Sequence, residues 1–162
     1  MSAQVELRSN SPAQTLEIGT RLGALLRGGE LIALCGPLGA GKTQLTKGLA
    51  LGLGVSEGTP VVSPTFVLLR GYQGRLFLNH LDVYRLRDLR ELEAIGFDEL
   101  RGQPDGVVVV EWADRFPELV SQSTLTIELD HGDVHTRRID ISVADPALRG
   151  ALPGALQDWA RS

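Results

Sequence analysis

The first strong pattern along the chain is an apolar stripe at helical spacing between residues 11 and 28. One face of this segment carries four aliphatic side chains: Ile18, Leu22, Leu25 and Leu26. Ser11 can cap the helix, Pro12 suits its first turn and Gln14 completes a capping box. Gly28-Gly29 predicts the end of the helix, and the short run Val5 to Arg8 before it predicts a first strand.

Six further runs have the composition of strands, at residues 30–35, 67–72, 76–81, 107–110, 125–130 and 139–143. Val107 to Val110 is unbroken and β-branched, which is typical of a parallel strand buried on both faces. The last two runs alternate apolar and polar residues around a turn at Gly132, which predicts an antiparallel hairpin with one wet face. Gln73-Gly74 predicts another hairpin.

The remaining periodic segments are short. Residues 88–95 and 97–102 each predict about a turn or two of helix, and residues 147–160 predict a terminal helix. Gly150 and Pro153 weaken that last prediction, because proline cannot donate its backbone nitrogen to the helix.

The chain is organised around residues 36–43, which read G-P-L-G-A-G-K-T. This sequence fits the P-loop, or Walker A motif, in which glycine-rich backbone cradles phosphates, lysine reaches the β- and γ-phosphates and a hydroxyl binds Mg²⁺. An apolar run precedes the motif and a helical segment follows it, as a P-loop requires. The predicted nucleotide contacts are therefore Gly36, Pro37, Leu38, Gly39, Ala40, Gly41, Lys42 and Thr43.

These patterns together predict an α/β fold. We expect a single P-loop NTPase-like domain over residues 1–162, with a mixed parallel and antiparallel sheet flanked by helices. No internal repeat or low-complexity segment suggests a second unit.

Composition narrows the function without naming it. The net charge of −4 argues against a large nucleic-acid surface of the chain's own, but it allows RNA to be handled through a partner. The single cysteine, Cys35, lies in the apolar run before the P-loop and predicts a small core residue. Neither a signal peptide nor a membrane span is predicted, so we expect a cytoplasmic protein without a membrane partner.

Two other stretches carry candidate chemistry. Glu111 follows the valine run, and a carboxylate at that end of a parallel strand is where P-loop proteins hold Mg²⁺ or its water. The stretch from Ser63 to Phe66 reads S-P-T-F in a loop after the P-loop helix, where a switch sensing the γ-phosphate can lie.

Several classes of phosphate-binding protein compete for this pattern. A dinucleotide fingerprint fails because Gln44 stands where its third glycine should be. Residues 79–82 look like the guanine-reading N-K-x-D of GTPases, but they follow Lys42 by only 37 residues and the chain has no D-x-x-G. A small-molecule kinase stays open, with arginines at 85, 87 and 90 near a possible lid. A nucleotide-gated interaction protein also stays open.

Four motifs in order resemble the TsaE family, the ATPase component of bacterial tRNA threonylcarbamoyladenosine synthesis. They are G-x-L-G-A-G-K-T at residues 36–43, S-P-T-F at 63–66, H-x-D-x-Y-R-L at 80–86 and E-W at 111–112. The resemblance implies a weak ATPase that binds ATP and Mg²⁺ and docks on the TsaB–TsaD pair. It further implies that hydrolysis resets this complex between rounds of modifying position 37 of tRNAs that read ANN codons.

The resemblance also assigns roles. Thr43 would bind Mg²⁺, Glu111 would hold Mg²⁺ or its water, and Asp82 would hold or position that water. Thr65 would be the switch residue in contact with the nucleotide. Four residues would hold the phosphates: Gly36, Gly39, Gly41 and Lys42. The implied catalytic set is Lys42, Asp82 and Glu111, and two such carboxylates close together favour a bound cation.

The other motif residues are given structural roles. Trp112 and Tyr84 would be structural or would face a partner, and His80 would be a hydrogen-bonded structural histidine. Family members often have Asp where Pro37 stands and Thr where Gln44 stands, but neither position carries phosphate or metal in this scheme. The base has no sequence signature, and only residues 9 and 10 suggest themselves as contacts.

Overall fold

The computed structural model describes residues 5–64 and 68–161. Within these ranges the chain forms seven strands and six α-helices. The strands are β1 (Val5–Ser9), β2 (Leu31–Cys35), β3 (Leu69–Tyr72), β4 (Phe77–Asp82), β5 (Gly106–Glu111), β6 (Leu125–His131) and β7 (Arg137–Val143). The helices are α1 (Pro12–Leu25), α2 (Lys42–Gly52), α3 (Arg90–Ala94), α4 (Phe97–Arg101), α5 (Pro117–Gln122) and α6 (Pro146–Ala155).

One sheet contains all the strands of the described chain, in the order β1-β7-β6-β2-β5-β4-β3. The four strands β6, β2, β5 and β4 are parallel, and antiparallel pairs extend this centre at both sides. The predicted mixed α/β sheet is therefore confirmed. Because parallel strands end at the same edge, β2, β4 and β5 deliver Cys35, Asp82 and Glu111 to one side of the sheet.

Helices cover both faces of the sheet. Alternate residues of each central strand point to opposite faces, so Ile32 and Leu34 enter the core beneath α1, α2 and α6. Leu31, Ala33 and Cys35 enter the second core, beneath α3, α4 and α5. β2 is buried along its whole length, because hydrophobic layers lie on both sides of it.

Four glycines bring α1 and α2 into direct backbone contact. Gly19 and Gly23 of α1 face Gly48 and Gly52 of α2, and a Cβ at any of them would lie within 2.5 Å of a carbonyl oxygen of the other helix. Side chains cannot fit between helices at this separation. The helix that carries the P-loop is therefore fixed against α1 through its backbone.

The boundaries differ from the sequence expectations in three places. Ser11 caps α1 as expected. The Gln14 side chain, however, accepts a hydrogen bond from the backbone amide of Asn10 at 2.8 Å, whereas the predicted capping box would use the amide of Ser11. β3 begins at Leu69 in the described chain, and four residues at 73–76 connect it to β4, one more than the predicted strands leave between them. The terminal helix ends at Ala155, shortly after Pro153, and a separate 3₁₀ turn follows at 157–159. No helix in the described ranges is long and apolar enough to cross a membrane.

Candidate functional site

The P-loop leaves β2 and opens directly into α2. Gly36, Gly39 and Gly41 all have positive φ values, of 145°, 79° and 104°. Gly36 also passes so close to β6 that a Cβ there would lie 2.3 Å from the carbonyl oxygen of Leu129. The loop can take this path only with glycine at these positions, and it ends at the positive end of the α2 dipole, which favours a bound anion.

Lys42, the first residue of α2, is buried and points back over the loop. Its Nζ donates to the carbonyl oxygens of Gly36 at 2.5 Å and Pro37 at 3.1 Å. Burial lowers the pKa of the Lys42 ammonium, and the carboxylates of Glu111, Asp114 and Asp82 partly oppose this shift. The lysine is therefore a cation taken out of water and held in the field of the acidic side chains at the strand ends.

The same ammonium lies over an aromatic ring. Lys42 Nζ is 3.7 Å from the centroid of the Trp112 ring, within the range of a cation–π interaction. Trp112 has a φ of 64°, a left-handed conformation that is costly for a bulky residue. Its other neighbour is the half-exposed ring of Tyr84, with the two centroids 4.8 Å apart. A stack of lysine, indole and phenol thus runs from the P-loop to the surface.

Asp82 and Glu111 stand side by side at the ends of β4 and β5, where they are paired in register. Both are buried. Asp82 accepts hydrogen bonds from the Ser63 hydroxyl at 3.0 Å and from the Tyr84 amide at 2.8 Å. Glu111 is 2.5 Å from Nε2 of His80. Two buried carboxylates beside a lysine are an arrangement that suits a reaction on phosphate.

The donor set here suits magnesium. In the described chain no three His, Cys, Asp or Glu side chains converge as an all-protein metal cage would require. Mg²⁺ does not need such a cage, because its sites commonly use one or two carboxylates together with substrate phosphates and water. Thr43 in the first turn of α2, Asp82 and Glu111 supply oxygen donors of this kind at one edge of the sheet.

Two cavities open beside the P-loop and differ in charge. One, of about 300 Å³, is lined by the acidic side chains Asp114, Glu128, Asp130 and Asp140 with only Arg138 to balance them. The other, of about 460 Å³, lies between the start of α1 and the tip of the β6–β7 hairpin. Its lining contains no carboxylate and includes Asn10, Ser11, Thr15, Gln44, Val134, His135 and Arg137. Only this second cavity avoids repulsion of nucleotide phosphates.

The structure brings most of the predicted residues together. Asp82 and Glu111 are paired at one edge, and Lys42 lies over Trp112 beside them. Ala40 is buried within the loop, and Leu38 is 84% exposed at its tip. The predicted switch residue Thr65 lies outside the described residues, although Ser63 just before it contacts Asp82. Of the two suggested base contacts, Asn10 lines the second cavity, which has no carboxylate, whereas Ser9 is fully buried against Thr15.

Sequence reasoning missed the contacts that cross between distant elements. Trp112 beneath Lys42, and His135 and Arg137 beside Gln44, are brought in by strands far away in the chain. The sequence signals for these contacts were the E-W pair at 111–112 and the predicted hairpin around Gly132. Neither indicates which side chain reaches the P-loop.

The family model that matches this chain is described as "Threonylcarbamoyl adenosine biosynthesis protein TsaE" and matches residues 9–139. A tRNA threonylcarbamoyladenosine biosynthesis protein TsaE from Treponema pallidum is 46% identical over 121 residues, covering 75% of this chain and 87% of the relative. The protein of the same name from Bacillus subtilis is 41% identical over 138 residues, covering 84% of each. The one from Streptomyces coelicolor is 43% identical over 148 residues, covering 89% of this chain and 93% of the relative.

The fold is also similar to a solved structure. The crystal structure of YdiB from Bacillus subtilis superposes with a TM-score of 0.75 at 33% sequence identity. The match covers 98% of this chain and 97% of YdiB.

Proposed function

Because the chain belongs to the TsaE family of threonylcarbamoyl adenosine biosynthesis proteins, we propose that it is a magnesium-dependent ATPase. In this proposal it assists the TsaB–TsaD complex in forming N6-threonylcarbamoyladenosine at position 37 of tRNAs that read ANN codons, and hydrolysis resets the complex. The observation that carries the ATPase proposal is that Lys42 lies over Trp112, the residue after Glu111, at the edge of the sheet where Asp82 and Glu111 are paired.

Phosphate binding rests on the loop and the helix behind it. The glycine-rich backbone from Gly36 to Gly41 turns around the start of α2, where free amides and the helix dipole attract anions. Lys42 is already desolvated. In the described chain its ammonium donates hydrogen bonds only to two loop carbonyls, and it lies over the face of the Trp112 indole. We infer that it exchanges these contacts for phosphate oxygens, which carry more negative charge than a carbonyl.

Hydrolysis requires a water molecule to be held and oriented beside the terminal phosphate. Glu111 is the carboxylate that we assign to this water, because its strand ends next to the P-loop strand and its side chain is buried. Asp82, fixed by Ser63 and Tyr84, would hold Mg²⁺ or its water shell together with Thr43. Bound Mg²⁺ supplies positive charge that neutralises the phosphates.

The cavity without carboxylates, between α1 and the β6–β7 hairpin, is our proposed site for the nucleoside. It borders Gly41 and Gln44, so it continues from the phosphate loop, and its volume of about 460 Å³ is in the range of small-ligand pockets. Asn10 and Arg137 offer polar groups to the base or sugar at its two sides. We propose adenine as the base, which predicts weaker binding of GTP than of ATP.

Partner assembly would explain why so small a chain carries an ATPase site. With a net charge of −4, the chain would contact tRNA only through the complex, and the modification chemistry would belong to TsaD. A tRNA-modifying complex also implies a cytoplasmic location. ATP binding and hydrolysis would then control docking on the TsaB–TsaD complex. In this proposal the chain is both an enzyme and a nucleotide-gated interaction protein.

The first experiment measures ATP hydrolysis with and without Mg²⁺ for the wild type and three variants. Lys42→Ala should abolish ATP binding and turnover. Glu111→Ala should keep the fold and most of the ATP affinity but lower turnover by roughly 100-fold. Asp130→Asn is the matched control, because this exposed carboxylate lies near the end of a neighbouring parallel strand and should leave turnover unchanged. Wild-type turnover by the Glu111→Ala protein would remove our assignment of this residue.

The second experiment tests the biological role by leaving this chain out. TsaB, TsaD, threonylcarbamoyl-adenylate, tRNA and ATP are combined with the wild-type chain, with Lys42→Ala, or with neither. We expect multiple modified nucleosides per TsaD only with the wild-type chain. If the yield does not depend on this chain, the role in the complex is wrong, and phosphoryl transfer to small hydroxyl compounds becomes the reading to test.

A further inference from the structure

His80 is a buried histidine that the proposed reaction does not yet use. It lies in β4, two residues before Asp82, and is fully inaccessible to solvent. Residues 78, 80 and 82 alternate onto the same face of the sheet, and Leu78 places that face in the core beneath α1 and α2. His80 thus lies beneath the helix that carries the P-loop.

The imidazole contacts Glu111 directly. Nε2 of His80 is 2.5 Å from Oε2 of Glu111, and both side chains are almost completely buried. In the part of the chain that the structure describes, His80 is the one group that hydrogen-bonds the Glu111 carboxylate. Asp82, the neighbouring carboxylate, is held instead by Ser63 and the Tyr84 amide. Asp82 and Glu111 are therefore held by different hydrogen-bond partners.

The surroundings of Nδ1 indicate which ring nitrogen of His80 carries the proton. Nδ1 of His80 is buried and has no hydrogen-bond partner among the described residues. A proton on Nδ1 would be a buried donor without an acceptor, and Nε2 would then face the carboxylate without a hydrogen to share. An unpaired buried donor is costly, so the structure favours the tautomer in which Nε2–H donates to Glu111.

We propose that His80 is a positioning residue that holds the Glu111 carboxylate in the orientation needed to direct the attacking water. This inference rests on the proposed ATPase function. One carboxylate oxygen is fixed by the imidazole, which restricts rotation of the Glu111 side chain and leaves the other oxygen for the water. Partners of this kind, one step removed from the reacting atoms, commonly affect activity by 10–100-fold.

The kinetic test compares two substitutions. His80→Leu removes the donor with little change in volume, and His80→Gln keeps an N–H donor near the position of Nε2. We expect His80→Leu to lower kcat by roughly 10–100-fold while the Kd for ATP changes by less than about threefold. His80→Gln should recover most of this loss. A folded His80→Leu protein with wild-type kcat, or a His80→Gln protein as slow as His80→Leu, would overturn the proposal.

A double-mutant cycle with Glu111→Gln separates positioning from a general effect on the fold. If His80 acts through Glu111, His80→Leu should lower kcat by less than about twofold in the Glu111→Gln background. An equally large loss in both backgrounds would show that His80 acts by another route. Wild-type protein without ATPase activity would instead refute the proposed function. Glu111→Gln with wild-type activity would remove the assigned role of Glu111 and overturn the proposal for His80 with it.

A measurement on the wild type keeps the proposal testable if His80→Leu does not fold or if ATP is not hydrolysed. Long-range ¹H–¹⁵N NMR spectra distinguish the two imidazole nitrogens. We expect a protonated Nε2 and an unprotonated Nδ1 for His80, and a change of the Nε2 resonance in Glu111→Gln. A proton on Nδ1 would overturn the proposal, whatever the enzymatic result.

Discussion

Replacing Gly48 by alanine tests how closely the helix that carries the P-loop is packed against α1. A Cβ at Gly48 would lie 2.2 Å from the carbonyl oxygen of Leu16 and 2.9 Å from the Cα atom of Gly19. Both neighbours are backbone atoms, which cannot rotate away as side chains do. The helices must therefore separate by about 1 Å to restore ordinary contact.

The cost follows from two opposing effects. Overpacking of this kind typically destabilises a protein by about 1–3 kcal/mol, and the backbone clash favours the upper end of that range. Alanine regains about 1 kcal/mol because it is a better helix former than glycine. We therefore expect Gly48→Ala to lower the free energy of unfolding by about 2 kcal/mol and the melting temperature by roughly 4–8 °C.

Gly150→Ala is the matched control. Gly150 is an exposed residue inside α6, and a Cβ there would meet no atom within 4 Å. The same substitution should here stabilise the protein by about 0.5–1 kcal/mol. Urea unfolding followed by far-UV circular dichroism compares both variants with the wild type. A Gly48→Ala protein as stable as the wild type would refute the packing argument.

Two further predictions concern Cys35 and Trp112. Burial raises the pKa of the Cys35 thiol from near 9 to about 12. The folded state therefore holds this proton more tightly than the unfolded state, and the free energy of unfolding falls as pH rises above about 9. In Cys35→Ala this fall should be shallower when unfolding is measured at increasing pH. In Trp159→Phe, Trp112 is the sole tryptophan, and saturating Mg²⁺ and ATP should change its emission when Lys42 leaves the indole. A constant emission spectrum under conditions where calorimetry detects ATP binding would contradict this displacement.

The P-loop was predictable from the sequence because the residues that form it are adjacent in the chain. A strand, a glycine-rich turn and a helix starting with lysine follow one another within a short stretch, and the structure has all three in place. The central sheet was predictable for a similar reason, since the unbroken valine run before Glu111 indicates a strand buried on both faces. The hairpin around Gly132 was also predictable, because apolar and polar residues alternate clearly in both of its strands.

The contacts inside the site depend on pairing between distant segments. Asp82 and Glu111 meet only because β4 and β5 are paired in that register, and a shift by one residue would turn one carboxylate to the opposite face. The position of Trp112 depends on a left-handed backbone conformation that its residue type does not predict. Likewise, His80 beneath Glu111 is visible only once the sheet is assembled.

The glycines between α1 and α2 also bear on which parts of the protein could move during the proposed cycle of ATP binding and hydrolysis. Packed helices slide past one another by small rearrangements of the side chains between them, and these two helices have backbone in contact instead. We therefore expect the P-loop and the α1 wall of the proposed nucleoside cavity to move as one unit. In the proposed ATPase, a change of nucleotide state would then be passed on through side-chain contacts that can break and re-form singly, such as the Ser63 hydroxyl on Asp82 and the rings of Trp112 and Tyr84.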